Sequence, residues 1–429
     1  MAAAAPYVTS YYATSARAAA ERPALAGTVA CDVCVVGAGI AGCSSALHLA
    51  ERGLSVVLVE ENRVGWGASG RSGAQAIFGV ACGQAKLRRL IGPAEARVVW
   101  NVSVEGLALM RELIARYAID CDWASGHLQT AVKERHRREL TGELAELRDG
   151  YGYPSLRYLP REELRAVLAT DRYLGGLYDS NSGHLHPLNY TLGLARAAES
   201  LGVRIFEGTR AHAFEPAGGS GVRVATSGGE VRARHLVLCG NVYLGPTAPA
   251  LAAKIMAVAT YIVATEPLGE ERARALIANN TAVSDLNWVL DYFRCSADHR
   301  LLFGGRVNYS GLSTFDAPAA TRARMLRVFP QLKDVRIEYA WGGDVDITLN
   351  RAPHFGRLAP NVYFLQGFSG HGIALTGIAG KLVAEAVAGT AGRFDVFARI
   401  PHANFPGGIA LRRPALVLAM LWYRIKDLL

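Results

Sequence analysis

The hydrophobic pattern is densest near the start of the chain. Apolar residues run unbroken from Val33 to Val36, give way to Gly37-Ala38-Gly39-Ile40-Ala41-Gly42, and return at helical spacing through Ala46, Leu49 and Ala50. A second continuous run, Val56 to Val59, ends on Glu60, eighteen residues after Gly42. Runs bounded by turn residues predict buried strands and the 3.6 spacing predicts a helix, so the stretch reads as strand, helix, strand. Further along, the spacing of Val98, Val102, Leu109, Leu113 and Ile114 predicts an amphipathic helix over 94–117. A charged helix over 133–149 reads as a solvated face. Shorter helices are expected over 162–168 and 188–201. The middle of the chain alternates, with strands expected at 203–207, 222–226, 231–233, 235–238, 255–265, 288–294, 301–306 and 335–341, and one helix over 317–329. It lacks crossover helices, so its sheet should be antiparallel. A last strand before Gln366 and a helix to about 388 close the pattern.

The glycines between the first strand and helix fall as G-x-G-x-x-G. In that position Gly37 permits the tight turn, Gly39 lets backbone approach a pyrophosphate, and Gly42 lets helix pack on strand. Phosphates then sit at the helix N-terminus, and Glu60 is placed to accept a ribose hydroxyl. The loop Gly65-Trp66-Gly67-Ala68-Ser69-Gly70-Arg71-Ser72-Gly73-Ala74-Gln75 follows one short step later and is rich in backbone donors. A third strand–glycine–helix element is Gln366-Gly367-Phe368-Ser369-Gly370-His371-Gly372. A nicotinamide enzyme does not need this third element, so the choice falls on FAD. His371 is either a donor that tunes the flavin or a plain loop residue.

Composition changes the picture only slightly. The 429 residues suggest two or three domains, and 51% hydrophobic content supports ordinary cores. The net charge of +9 is carried mostly by arginine, without a clustered stripe or a nucleic-acid-binding module. Seven cysteines, with only Cys31 and Cys34 close together and on opposite faces of a strand, indicate a reduced, cytoplasmic protein and no zinc pattern. His184 and His186 are either metal ligands or part of a turn; with no third ligand at sensible spacing, the turn is expected and no metal is assigned. The N-terminus lacks the layout of a secretory signal. Residues 415–423 are apolar but too short to span a bilayer, and read as a helix docked on its own domain rather than on a membrane.

The motifs CDVCVVGAGIAG, GWGASGRSG, SGHLHP, LCGNVYLG, RAPHFGRL and QGFSGHG, with SYYATSA and FDVFARIPHANFPGG at the two ends, give the chain a close resemblance to a known family. It resembles the FAD-dependent amine and amino-acid oxidases of the D-amino-acid oxidase/glycine oxidase group. The likeness is strongest to the members that act on γ-glutamylated diamines. The resemblance implies an α/β fold with a discontinuous, Rossmann-like FAD-binding domain (28–90, 184–250 and 350–400). It implies a substrate domain with a mainly antiparallel sheet and helices (91–183 and 251–349). An N-terminal extension covers 1–27 and a C-terminal one 401–429. It implies non-covalent FAD held by Gly37, Ala38, Gly39, Ile40, Ala41, Gly42, Glu60, Glu61, Gly67, Ala68, Ser69, Arg71, Ser72, Gly73, Ala211, Gly240, Gly370, His371, Gly372 and Ile373. Ser72 and Ala74 stand where that subgroup has Asn and Gly, and Asp344 and Asp346 where it has neutral residues.

The implied reaction oxidises the C–N bond of a small amine by hydride transfer to flavin N5. The imine then hydrolyses, and O2 or another electron acceptor takes the electrons. Candidate catalytic residues are His371, Asp346 and Lys254. Asp344 and Asp346, two apart on one strand face, either pair with the cationic end of a diamine or lie on a solvated edge. Lys254 either binds a carboxylate, assists oxygen, or is exposed. The rival readings are a dehydrogenase that passes electrons to a quinone or carrier, and a non-catalytic FAD-binding subunit.

Overall fold

The computed structural model describes residues 4–217, 221–307 and 316–406; the apolar stretch at 415–423 lies outside them. Five helices position the site: α1 (Ile40–Ala50), α2 (Gln84–Arg116), α3 (Glu134–Ala145), α4 (Pro187–Ser200) and α5 (Gly372–Val387). The first sheet holds β1 (Gly27–Val36), β2 (Val56–Val59), β7 (Arg204–Phe206), β8 (Ala211–Ala217), β9 (Gly221–Thr226), β10 (Gly229–Leu238), β16 (His354–Ala359) and β17 (Val362–Gln366). Its order is β16-β17-β10-β1-β2-β7. The run from β17 to β7 is parallel, and β8 and β9 fold back beside β10. Parallel strands covered on both faces need continuous apolar runs, and β2 is buried at all four positions. Helices α1 and α5 pack so closely that a Cβ on Gly380 would lie 2.5 Å from the Ser45 amide nitrogen.

The second sheet holds β3 (Gln75–Ala76), β4 (Ala124–Ala131), β5 (Leu156–Pro160), β6 (Gly175–His184), β11 (Ile255–Thr265), β12 (Ala282–Asp285), β13 (Tyr292–Cys295), β14 (Leu301–Val307) and β15 (Ile337–Thr348). The order is β15-β11-β14-β13-β12-β4-β6-β3, with β5 on β6. All pairs are antiparallel except β12 with β4. Thus Gln75–Ala76, in the segment expected to belong with the cofactor domain, pairs with the second sheet. The boundary expected at residue 90 falls beside a break in α2, where Gly92 has φ 81° and Pro93 follows.

Several expectations change. Residues 288–294 are not one strand: β13 begins at Tyr292. Leu286 to Leu290 form a loop held by Asp285, whose carboxylate accepts from the Asn287 and Asp291 amides at 3.0 and 3.1 Å. Side-chain–backbone bonds of this kind compete with a ladder. Strand β15 runs on past Trp341 to Thr348, so Asp344 and Asp346 lie on a strand as expected. The pieces 231–233 and 235–238 are one strand. Of the expected N-terminal extension, residues 4–26 are described, and they are tied down to the body of the protein. Tyr12 is fully buried and accepts from Arg294, and Tyr11 donates to Asp298 at 2.7 Å.

Candidate active site

One cavity of about 610 Å³ lies between the two sheets. At one end it is lined by the β1–α1 turn, Gly37, Gly39, Ile40 and Ala41, and by Glu60 and Glu61 at the end of β2. Gly37 has φ 100°, a left-handed conformation that favours glycine. A Cβ there would stand 2.9 Å from the Gly240 nitrogen, and one on Gly39 2.8 Å from the Ser69 hydroxyl. The Ser69 hydroxyl in turn accepts from the Ile40 amide at 3.0 Å, tying the 65–75 loop to the start of α1. A Cβ on Gly42 would fall 1.8 Å from the Gly37 carbonyl oxygen. Gly42 therefore supports the turn without lining the cavity.

Glu60 accepts from the Ala38 amide at 2.7 Å and the Asn62 amide at 2.9 Å. Burial pushes its carboxyl up to about 7, against the lowering effect of those two amides. Ala38 acts through this bond and is not among the lining residues. Gly67, Ala68, Ser69, Ser72 and Gly73 line the cavity, as do Ala211, Gly240, Gly370, His371, Gly372 and Ile373. Arg71 does not: its guanidinium lies 4.0 Å from the Trp66 ring and donates to the Trp66 carbonyl at 2.8 Å. It shapes the loop that does the lining.

These features fit a dinucleotide. The cradle is bare where side chains would intrude, α1 and α5 both begin without a side-chain cap, and the buried hydroxyl of Ser72 faces the cavity with no partner. Helix N-termini carry about half a positive charge and free amides, which suits phosphate at one end and a ring that gains electrons at the other.

The candidate catalytic residues separate. His371 lines the cavity and precedes α5; burial, with Arg351 beside it, lowers its pKa to about 4, so the ring is neutral. Asp346 also lines the cavity, but its carboxylate accepts from the Phe368 amide at 2.8 Å, and its carbonyl from the Ser369 amide at 3.0 Å. It fastens the 367–371 loop to β15 and is no free anchor for a substrate cation. Burial raises its pKa to about 6. Asp344 is absent from the lining. Lys254 lies elsewhere, donating to the His402 carbonyl at 2.7 Å. His184 and His186 also serve structure: the His186 ring accepts from the Asn189 amide at the start of α4, and the His184 ring meets the Asn280 carbonyl.

Sequence reasoning missed the far side of the cavity. Gln75, His127, Ser284 and Tyr292 face it. The His127 ring meets the Gln75 amide oxygen and the Ser284 hydroxyl at 3.2 Å each. Burial and nearby His371 lower its pKa to about 3. The Tyr292 ring fills space left by Gly73 and Gly304, where Cβ atoms would lie 2.6 and 2.2 Å from it. The readable signal was Gly73, whose missing side chain makes room for the tyrosine.

The FAD dependent oxidoreductase family model, DAO, matches residues 32–386. This chain belongs to that family. It is 42% identical over 422 residues to the γ-glutamylputrescine oxidoreductase of Escherichia coli, covering 98% of both chains. It is 34% identical to a probable oxidoreductase OrdL of Rhizobium meliloti, over 94% of both. The fold is shared with glycine oxidase from Bacillus cereus, at TM-score 0.70 and 20% identity over 87% of this chain and 99% of that one. It is shared also with L-amino acid deaminase from Proteus vulgaris, at 0.72 and 19% over 89% and 100%. The protein is therefore an FAD-dependent oxidoreductase, and the cradle just described is where its residues would hold FAD.

Proposed function

We propose that this oxidoreductase oxidises the terminal primary amine of a γ-glutamylated diamine, γ-glutamylputrescine or a close analogue. The products are the aldehyde and ammonia, with O2 reduced to hydrogen peroxide. The observation that carries the reading is the end-to-end likeness to the E. coli protein. The cavity supports it, because its lining continues past the cofactor cradle to Phe78, Leu156, Leu177 and Leu286, room that a small amino acid does not need.

FAD, when bound, supplies the two-electron acceptor for the substrate's α-C–H bond. The chain's own residues prepare the amine. His127 is buried, His371 is half-buried and both are neutral, so they add no positive charge that would repel an arriving ammonium. An ammonium in such a desolvated place releases its proton more readily, which favours the neutral, reacting form. Gln75 and Ser284 hold the His127 ring in place. Tyr292 and the 367–371 loop line the site on either side.

The test is product stoichiometry with γ-glutamylputrescine in air. One aldehyde, one ammonia and one peroxide per O2 is the expected result. Aldehyde without peroxide in the presence of a quinone would move the enzyme to the dehydrogenase class. No aldehyde under either condition would dismiss the substrate.

A further inference from the structure

Helix α3 carries charges on nearly every turn, and most face solvent. His136 and Leu140 are its buried residues, and Leu144 packs with Leu140 into a satellite core around Trp100, Tyr153, Leu156 and Leu177. Glu143 follows Leu140 by three positions and His136 by seven, so it shares that inward face. Helix α3 packs on β4, β5 and β6, and Glu143 lines the same cavity as Leu156 and Leu177. Of the other acids near it, Glu146 pairs with Arg88 and Glu134 with Arg137, while Glu139 is exposed to solvent. Glu143 has neither ion pair nor hydrogen bond among the described residues. Glu143 is half-buried, and desolvation pushes its carboxyl up to about 7, with Glu139 and Glu146 adding to the rise, a strain that a neighbouring cation would relieve.

Asp179, the other acid at this end, is taken: its carboxylate accepts from the Tyr153 hydroxyl at 3.0 Å and the Ser182 amide at 2.9 Å. Between the two ends runs one face of the second sheet. Ser284 pairs with Gln129 and Gln129 with Leu177, while Asp179, beside Leu177 on β6, pairs with Leu156 on β5. From Ser284 on β12 to Leu156 on β5 is three strand spacings, about 14 Å. An extended γ-glutamylated four-carbon diamine spans roughly 12 Å between its two nitrogens, from ordinary bond lengths. Its methylenes match the apolar walls of Phe78, Leu156, Leu177 and Leu286.

We propose that the Glu143 carboxylate is the subsite for the distal ammonium of the substrate, and so sets the preference for a diamine derivative with a second cationic group. This rests on the function proposed above and goes further by assigning the far end of the substrate. Carboxylate–ammonium pairing is strongest where water is excluded, and a cation at this distance places the reacting amine beside Gln75 and His127.

The experiment compares two substrates in the FAD-loaded enzyme. γ-Glutamylputrescine carries the distal ammonium; glutarylputrescine keeps the amide, carboxylate and reacting amine but lacks it. The wild type should favour the first in kcat/KM. Glu143→Gln should lose tenfold or more on the first, almost wholly in KM, and leave the second unchanged. Glu143→Asp, with a shorter reach, should fall between. The non-reacting N-butyl amides of the same two acids give a binding readout: Glu143→Gln should weaken inhibition by the γ-glutamyl amide alone. Removing an unpaired, half-buried charge should not impair folding. Equal responses to both substrates, or no response to either, would overturn the subsite while leaving the proposed reaction intact. A wild type that ignores both substrates would overturn the proposed reaction, and the subsite with it.

Discussion

At the residue scale, the chemistry of the site depends on where carboxylates find donors. Glu60 has two backbone amides and a place in the cavity lining. Glu60→Gln should weaken FAD binding by about 1–3 kcal/mol, the value of a charge-assisted hydrogen bond. Because burial raises its pKa to about 7, the carboxylate protonates as pH falls through that value. FAD affinity of the wild type should therefore drop below pH 7, and the variant should lose this pH dependence. Equilibrium titration of apoprotein with FAD reads both effects. Asp346 illustrates a different role. Sequence alone made it a candidate anchor for a substrate cation, but its carboxylate holds the Phe368 amide. Asp346→Ala should lower FAD occupancy and slow cationic-tailed and tail-less substrates alike. A defect confined to tailed substrates would restore the anchor role.

At the scale of elements, the glycines that mattered were those where two backbones meet. Gly380→Ala forces α5 away from Ser44 and Ser45 on α1. Overpacking of this kind costs about 1–3 kcal/mol. Gly142→Ala, in α3 with nothing within 4 Å of the added Cβ, should instead stabilise by about 0.5–1 kcal/mol. Denaturant midpoints of the two variants should move in opposite directions. The β1–α1–β2 unit was legible because its apolar runs are continuous and its glycines are spaced by the turn itself. Strands β4, β6 and β12 were not. Ala124–Ala131 and Gly175–His184 are rich in glycine, serine and histidine, since one face of each borders the cavity and not a dry core. The residues that make a site polar also erase the strand signal. Glu143 was read as part of a solvated face for a related reason: helical spacing identifies a buried stripe through its apolar members, and an acid on that stripe looks like any other charge.

At the scale of the whole molecule, buried neutral histidines should govern the acid limit of stability. Outside the cavity lining, burial lowers His184, His186 and His354 to about 3 and His402 to about 4. Unfolding exposes them with ordinary values near 6.5, so the unfolded chain takes up more protons below that pH. Stability should then rise with pH from about 4 to 6.5 and fall on acidification, with a slope that the raised carboxyls of Glu60, Glu143 and Asp346 reduce by working in the opposite sense. Urea midpoints between pH 7.5 and 5 test the sign. A profile that falls with rising pH between 5 and 6.5 would mean that these rings do not govern acid stability. The cofactor end of the molecule could be assigned from sequence because it recurs as three glycine elements. The proposed substrate end could not, because Glu143, Leu156, Leu177, Gln129 and Ser284 come from separate elements and line one cavity only in the folded chain. Those two ends meet in one cavity, proposed to oxidise a long, doubly functional amine. Anaerobic mixing of the FAD-loaded enzyme with γ-glutamylputrescine, putrescine and glycine tests it most directly. Rapid bleaching of the flavin by γ-glutamylputrescine, much slower bleaching by putrescine and none by glycine is the predicted result. Bleaching by glycine alone would contradict it.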